Sequence, residues 1–441
     1  MRRNKRRAKG NGMLNFVRLI AFLVLAIGSV PALAAPDIVP SDRVVRRVNV
    51  RAAPDSSSAA INQLRPGDKA DLIETLPAWY HVRLADGREG YVSRAWTVHV
   101  SLEAAFHPVY FIHMIDVGTG LAVFVEGPGF TLLYDAGSND DLGRGPNNRV
   151  IAYLHKIRPD LTRIDHVILS HPHRDHVELI PDVLASYAIG NLWDSGATNP
   201  ICAYRAMLEQ VEARHIPYHD AEHLTGDHVV TFAAQDCYGH QLPQSTVRFP
   251  LASPIVIEQP IALGSGATLR FLHATADVEP SFNENSLVAL IDLGHSRVLL
   301  MGDGEAGGRR PPATLPTPSS VEGELLACCA NDLKADVMVV GHHGSKTSSR
   351  TATLDKVQAY VFLVSAGPTK YASVTLPDAE IIDELKTRGT VYRTDEHDVA
   401  CRTDPAKIGN DNDNQPGGCD NVLVEIDPAG TIRAHPYKIA D

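Results

Sequence analysis

One stretch concentrates the metal-binding chemistry of this chain: Ser170-His171-Pro172-His173-Arg174-Asp175-His176. Two imidazoles two residues apart on extended backbone point the same way and can hold one divalent ion. Asp175 and His176 then supply an oxygen and a nitrogen to a second ion nearby. Neutral imidazole with carboxylate suits zinc first, with manganese or iron as alternatives. His215, His219, His223, His228 and His240 show no such spacing and are expected on the surface.

Such a loop needs elements that hold it still. Ile164 to Leu169 is an apolar strand running directly into it. Upstream, Val109 to Val117, Leu121 to Glu126 and Phe130 to Tyr134 read as strands, the last ending in Asp135-Ala136-Gly137. Asn147 to Ile157 has helical spacing and stops before Pro159. Strands ending in Asp or His and separated by helices describe an α/β sheet with a site at its strand ends. Residues 236–262 and 305–320 lack periodicity and are expected to be surface insertions.

The 441 residues, 44% hydrophobic and 21% charged, are enough for a full core and more than one domain. The formal net charge is -11, but residues 1–34 hold seven bases and no acid, so the remainder is near -18. An acidic body argues against broad electrostatic binding of nucleic acid, although a local cleft can still accept a phosphodiester.

The basic start, the apolar run Leu19 to Val30 and Ala32-Leu33-Ala34 together read as a signal peptide over residues 1–34. The apolar run is short against the ~20 residues of a membrane span, and no later stretch is long enough. The expectation is an exported protein, periplasmic or extracellular, without a transmembrane segment once the leader is removed. Six cysteines fit an oxidising compartment. Cys401 and Cys419 bracket a polar loop and are the favoured pair, whereas adjacent Cys328 and Cys329 are not expected to bond each other.

Residues 43–100 read as a separate small β-barrel of short strands between turns, with Asp86-Gly87 as a hairpin signal. Asn49-Val50-Arg51-Ala52-Ala53-Pro54 and the run from Trp79 to Val92 resemble the bacterial SH3-like domain. That resemblance implies contact with cell-wall peptides or a docking role.

The histidine loop after an apolar strand resembles the metallo-β-lactamase superfamily, which implies an αββα sandwich over residues 107–441. Arg297 to Asp303 ends in Gly-Asp like that family's bridging aspartate, and Asp336 to Ser345 ends in its final histidine motif. The implied metal ligands are His171, His173, Asp175, His176, Asp303 and one of His342 and His343, with His273 as a further candidate. Asp175, Asp303 and His343 are the expected catalytic residues. Asp116 and Asp135 are expected to hold the histidine loop in register.

The finer similarity is to the hydrolase domain of DNA-internalisation competence proteins, carried by Asp116 to Gly120, Asn283 to Val288, His342 to Ser345 and Tyr392 to Asp395. It implies a phosphodiesterase or nuclease. Two departures stand out. Where that subgroup has Asn-x-Tyr-Gly-His-Pro, this chain reads Thr369 to Pro377, with Ser373 or Thr375 in place of the histidine. His397 is the outside candidate to replace it. Val177-Glu178 stands where two small residues are usual, which is expected to narrow the pocket.

The expected reaction is hydrolysis by a metal-activated hydroxide attacking phosphorus, with Asp175 or Asp303 orienting it. Hydrolysis of a carboxylic ester, lactone or amide is the alternative chemistry, and a non-catalytic wall-binding protein the alternative class.

Overall fold

The computed structural model describes residues 37–437 apart from 42–43, 100–106, 222–225, 278, 403, 405–406 and 409–415. The leader expected over residues 1–34 lies outside them, as does His223.

Residues 37–99 form a seven-stranded antiparallel sheet closed around Ile38, Val50, Tyr80, Val82 and Val92. Alternation drives it: in Trp79–Arg83 only Tyr80 and Val82 are buried. Arg94 leaves this barrel to lie over the Tyr360 ring, 4.2 Å from its centroid, and also hydrogen-bonds the Tyr360 hydroxyl.

The rest builds two mixed sheets. The first orders eight strands as Tyr218–His219, Ala188–Asp194, Arg163–Leu169, Phe130–Ala136, Ala122–Gly127, Tyr110–Met114, Val422–Ile426 and Ile432–Pro436. The second orders seven, from Ile261–Gly264 through Ala267–His273, Val288–Leu293, Ser296–Leu300, Val337–Val339 and Val361–Val364 to Thr390–Arg393.

Period-two burial explains the layering. Val123, Val125, Leu132 and Tyr134 face Leu269, Ala289, Ile291 and Val298 between the sheets. Phe124 and Leu133 face the other way, onto Leu154, Val183 and Leu208 of helices Arg149–Ile157, Ile180–Ser186 and Cys202–Arg214. Leu290 and Met338 likewise meet Leu325, Leu354 and Ile381 of the helices behind the second sheet. The result is helix, sheet, sheet, helix: the expected αββα sandwich.

Several expectations need correction. Residues 236–262 are not a bare insertion, because Ser245–Pro250 pairs with Asp227–Phe232 and buries Val247 and Phe249. Residues 305–320 strap across the segment after His343, through Ala306 N–H to the Thr347 carbonyl at 2.6 Å and Arg310 N–H to that of Lys346 at 3.2 Å. His219 and His228 are buried rather than surface: His219 stacks on Trp193, and His228 packs against Tyr218 and Phe249.

Disulfides join Cys202 to Cys237, Cys328 to Cys329 and Cys401 to Cys419. The last is the pair favoured above. The adjacent pair is a correction: the helix Val321–Cys328 ends between the two residues, and Cys329 leaves helical dihedrals (φ -131°, ψ 19°), which lets the side chains meet.

Candidate metal centre

The site sits where strands of both sheets end. Arg163–Leu169 delivers Ser170 and the histidine loop, and a four-residue helix from Arg174 turns Asp175 and His176 inward. Asp303 follows Gly302, whose φ of +54° and close approach to Ser170 and the Tyr134 hydroxyl exclude a larger residue there. His342 and His343 both have left-handed backbone (φ 47° and 53°). That conformation costs on the order of 1 kcal/mol per non-glycine residue and persists only where the surroundings enforce it. It points consecutive imidazoles to different places.

Two sets of donor atoms converge: His171, His176 and Asp303, and Asp175, His176 and His343, each within 4.8 Å of one another. His176 Nε2 is 3.2 Å from Asp303 Oδ1, and His343 Nε2 is 3.5 Å from Asp303 and 3.6 Å from Asp175. His173 adds its Nδ1 at 3.0 Å from His171 Nε2.

The fit to cations is testable on buried polar atoms. His176 Nε2, Asp303 Oδ1 and His343 Nε2 are all buried without a hydrogen-bond partner among the described residues, and all belong to the two donor sets. Orphaned buried groups are costly, and three together in a donor set of imidazole and carboxylate match a divalent ion. Electrostatics agree. Burial disfavours the charged form of His176, yet Asp303 and Asp135 outweigh it and raise its pKa well above the ordinary value. His171 instead is driven well below its ordinary value by burial and by His176, so it is a neutral imidazole with a lone pair to give.

Around these atoms lies a supporting set. Asp135, fully buried, accepts from Ser170 N–H at 2.6 Å, Ser170 Oγ at 2.7 Å and His176 Nδ1 at 2.8 Å, so it locks the loop as expected. Asp116 does not touch that loop. Its carboxylate accepts from the backbone of Gly118, Cys419 and Asp420 and so pins the C-terminal segment, a correction to its expected role. His342 stands at the rim, its Nδ1 2.6 Å from Thr347 Oγ1 and 3.1 Å from Glu305, its Nε2 3.7 Å from Asp303. Burial opposes its charge, but Asp303 and Glu305 outweigh burial and raise its pKa.

His273 is a further correction. It belongs to neither donor set: its Nδ1 is 2.8 Å from the Ser286 carbonyl and its Nε2 3.5 Å from Glu324, and its strand lies two places away from Ser296–Leu300, which delivers Asp303, in the second sheet. Asn283 reaches the rim, with Nδ2 3.0 Å from Glu305 and 3.4 Å from His342 Nε2, while Asn285 binds the carbonyls of Thr275 and Asp277. His397 is exposed and paired with Asp420 at 2.8 Å, so it replaces nothing in the site. Val177 is buried in the core and Glu178 turns to Arg144, Arg174 and Tyr238, so neither narrows the site.

Tyr371 is the residue that sequence reasoning passed over. Ser373 and Thr375 are exposed, whereas the Tyr371 hydroxyl hydrogen-bonds Asp175 and its ring stacks on His343 at 6.1 Å between centroids. Burial and the neighbouring Asp175 raise its pKa, so it stays a phenol. The signal was its position inside the departing segment Thr369 to Pro377.

Comparison with known proteins agrees with this geometry. The bacterial SH3 domain family matches residues 46–98, and the metallo-beta-lactamase superfamily matches residues 115–363, more than half of the chain. "Recombination protein 2" of Haemophilus influenzae is 26% identical over 260 residues, covering 59% of this chain and 24% of that protein. The uncharacterized protein YcaI of Escherichia coli K12 is 26% identical over 281 residues, covering 63% of this chain and 28% of that protein. This chain therefore spans only about a quarter of these relatives' length. Among solved structures, the metallo-beta-lactamase fold protein YhfI of Bacillus subtilis is 13% identical with a TM-score of 0.36, covering 66% of this chain and 97% of its own. The metallo hydrolase Igni18 of Ignicoccus hospitalis is 11% identical with a TM-score of 0.36, covering 65% of this chain and 95% of its own. With the histidine loop, Asp303 and His343 converged at the strand ends, the chain belongs to the metallo-β-lactamase superfamily and is a metal-dependent hydrolase joined to a bacterial SH3 domain.

Proposed function

We propose that the protein is an exported hydrolase of phosphodiester bonds working with two divalent cations, zinc by preference. The observation that supports it most is the pair of donor sets sharing His176, with three buried atoms that have no hydrogen-bond partner among the described residues. His171, His173 and Asp303 would hold one ion, and Asp175, His176 and His343 the other, with Asp303 near both. Bound there, divalent ions supply Lewis acidity toward a water and toward an oxygen on phosphorus, the chemistry of two-metal hydrolases.

The protein's own groups do the rest. Asp175 and Asp303 accept from the attacking water and orient it. Tyr371, a neutral phenol beside Asp175, can donate to a non-bridging oxygen. His342, oriented by Thr347 and Glu305, presents an imidazole to developing charge or to the leaving oxygen. Burial of the centre keeps these charges in a low dielectric, where they act most strongly. The phosphodiester assignment draws on the similarity to competence-protein hydrolase domains and on the match to a protein named for recombination.

Three disulfides within the described residues favour an oxidising compartment, in keeping with a leader over residues 1–34. Among the described residues no helix is long and apolar enough to cross a membrane. Residues 43–100 would act as a separate wall-contacting domain and 107–441 as the hydrolase domain. Cosedimentation of the whole protein with purified cell wall tests the former.

Elemental analysis coupled to hydrolysis of bis-p-nitrophenyl phosphate and of DNA tests the chemistry. The wild type should carry up to two ions and cleave the diester, and Asp175→Ala or His173→Ala should lose metal and activity together. Full activity of metal-free protein would sink the proposal.

A further inference from the structure

A cavity of about 880 Å³ opens beside the centre, with His173 on its wall. Phe282 lines it too and meets the His173 ring edge-on at 5.6 Å, and His173 in turn lies against His171, its Nδ1 3.0 Å from His171 Nε2. Its volume lies within the range of pockets that hold a small-molecule ligand.

The charged lining is acidic. Asp227, Asp277 and Glu279 face the cavity, and no Lys or Arg does among the described residues. Asp227 is matched by Arg248 at 3.2 Å. Among the described residues Asp277 and Glu279 make no ion pair, and they leave a negative field at the cavity wall.

A second, independent feature agrees. His228 lines the same cavity at 6% exposure, and its Nε2 is buried without a hydrogen-bond partner among the described residues. Its Nδ1 faces Asp220 Oδ2 at 3.3 Å. Nε2 is thus the ring nitrogen left for a ligand. The two carboxylates beside it call for a donor.

We infer that this cavity takes the substituent next to the scissile phosphate and selects a compact hydrogen-bond donor, an amine or a hydroxyl. It rejects an anionic group such as the next phosphate of a polynucleotide. This rests on the phosphodiester assignment and narrows it: the substrates are small diesters with an amino or hydroxyl substituent, and nucleic acid is a poor substrate.

The test is calorimetric titration of the zinc-loaded full chain with 2-aminoethyl, ethyl and carboxymethyl phosphate, alongside turnover of the matching p-nitrophenyl diesters. The aminoethyl compound should bind about tenfold tighter than the carboxymethyl one at low salt, with ethyl between, and the gap should shrink as salt rises. The double variant Asp277→Asn/Glu279→Gln should bring that ratio close to one. Both side chains lie at the cavity wall outside the core, and an unchanged urea midpoint confirms the fold. Equal or reversed affinities, or an unchanged ratio in the double variant, overturn the inference. Ranked binding without turnover of any diester overturns the phosphodiester assignment and upholds the cavity's selectivity.

Discussion

Asp135→Asn isolates the hydrogen-bond logic of the metal centre. Asp135 is wholly buried, at φ +57°, and its two oxygens accept three bonds: Ser170 N–H on Oδ1, and Ser170 Oγ with His176 Nδ1 on Oδ2. Asparagine keeps the shape but replaces one oxygen with a donor. With its oxygen toward Ser170 N–H, the new NH₂ meets His176 Nδ1–H. The imidazole must then shift its proton to Nε2, the atom that lies 3.2 Å from Asp303 and faces the cation position. With the amide flipped, two donors oppose each other at Ser170 N–H instead. Either arrangement loses one buried, charge-assisted bond, worth about 1.5–3 kcal/mol.

At 1.4 kcal/mol per factor of ten, that predicts zinc affinity weakened roughly 10- to 100-fold. Competition titration against a chromophoric chelator measures it, and urea unfolding of the metal-free protein monitors the fold. Ser170→Ala, which removes one hydroxyl and leaves the His176 tautomer alone, should lose much less. Wild-type affinity in Asp135→Asn would refute the tautomer argument.

Four further outcomes follow from the geometry. Tyr371→Phe should keep its metal and KM but lose about tenfold or more in kcat, read by steady-state kinetics, since only a bond to Asp175 and a donor to substrate disappear. His343→Ala should lose metal, whereas His342→Ala should retain metal and lose kcat; equal metal loss in both would contradict the rim position of His342. His273→Gln should leave metal content unchanged and cost about 1 kcal/mol in urea unfolding, because the bond to Ser286 and the partly exposed contact with Glu324 are at stake. Glu322 is fully buried, and burial lifts its pKa to about 7 against bonds from Thr353, Arg350 and Ser349. The folded state therefore holds this proton where the unfolded state has lost it, so stability from this group is full below about pH 4.5 and lost as pH rises through 7. Glu322→Gln should remove on the order of 3 kcal/mol of that slope, measured by urea midpoints from pH 5 to 8.

The legible part of the site was the part written locally. His171, His173, Asp175 and His176 lie within six residues, so spacing alone states their chemistry, and the apolar run before them implies the strand that aims them. Asp303 and His343 were legible because each ends a strand of buried, β-favouring residues. The choice between His342 and His343 was not. It depends on two successive left-handed residues, which Gly341 and Gly344 frame but do not dictate.

What stayed hidden depends on distant segments meeting. Tyr371 reaches Asp175 across 196 residues, and His228 is buried only because Ser245–Pro250 returns to pair with its strand. Neither segment carries a motif that states its distant partner, although His228, Val230 and Phe232 alternate as the buried face of one strand. His273 shows the converse error. Its flanking residues matched a motif, but a residue's distance from a ligand set is decided by its strand's place in the sheet, and Ala267–His273, two strands from Ser296–Leu300, ends against Ser286 and Glu324. The same dependence bears on substrate choice. The metal ligands determine that hydrolysis can occur, while the acidic wall formed by Asp277 and Glu279, in loops that no motif marks, determines what can approach. A chain can therefore keep the histidine loop, Asp303 and His343 and still turn away the polyanion that the ligand motif alone would assign to it.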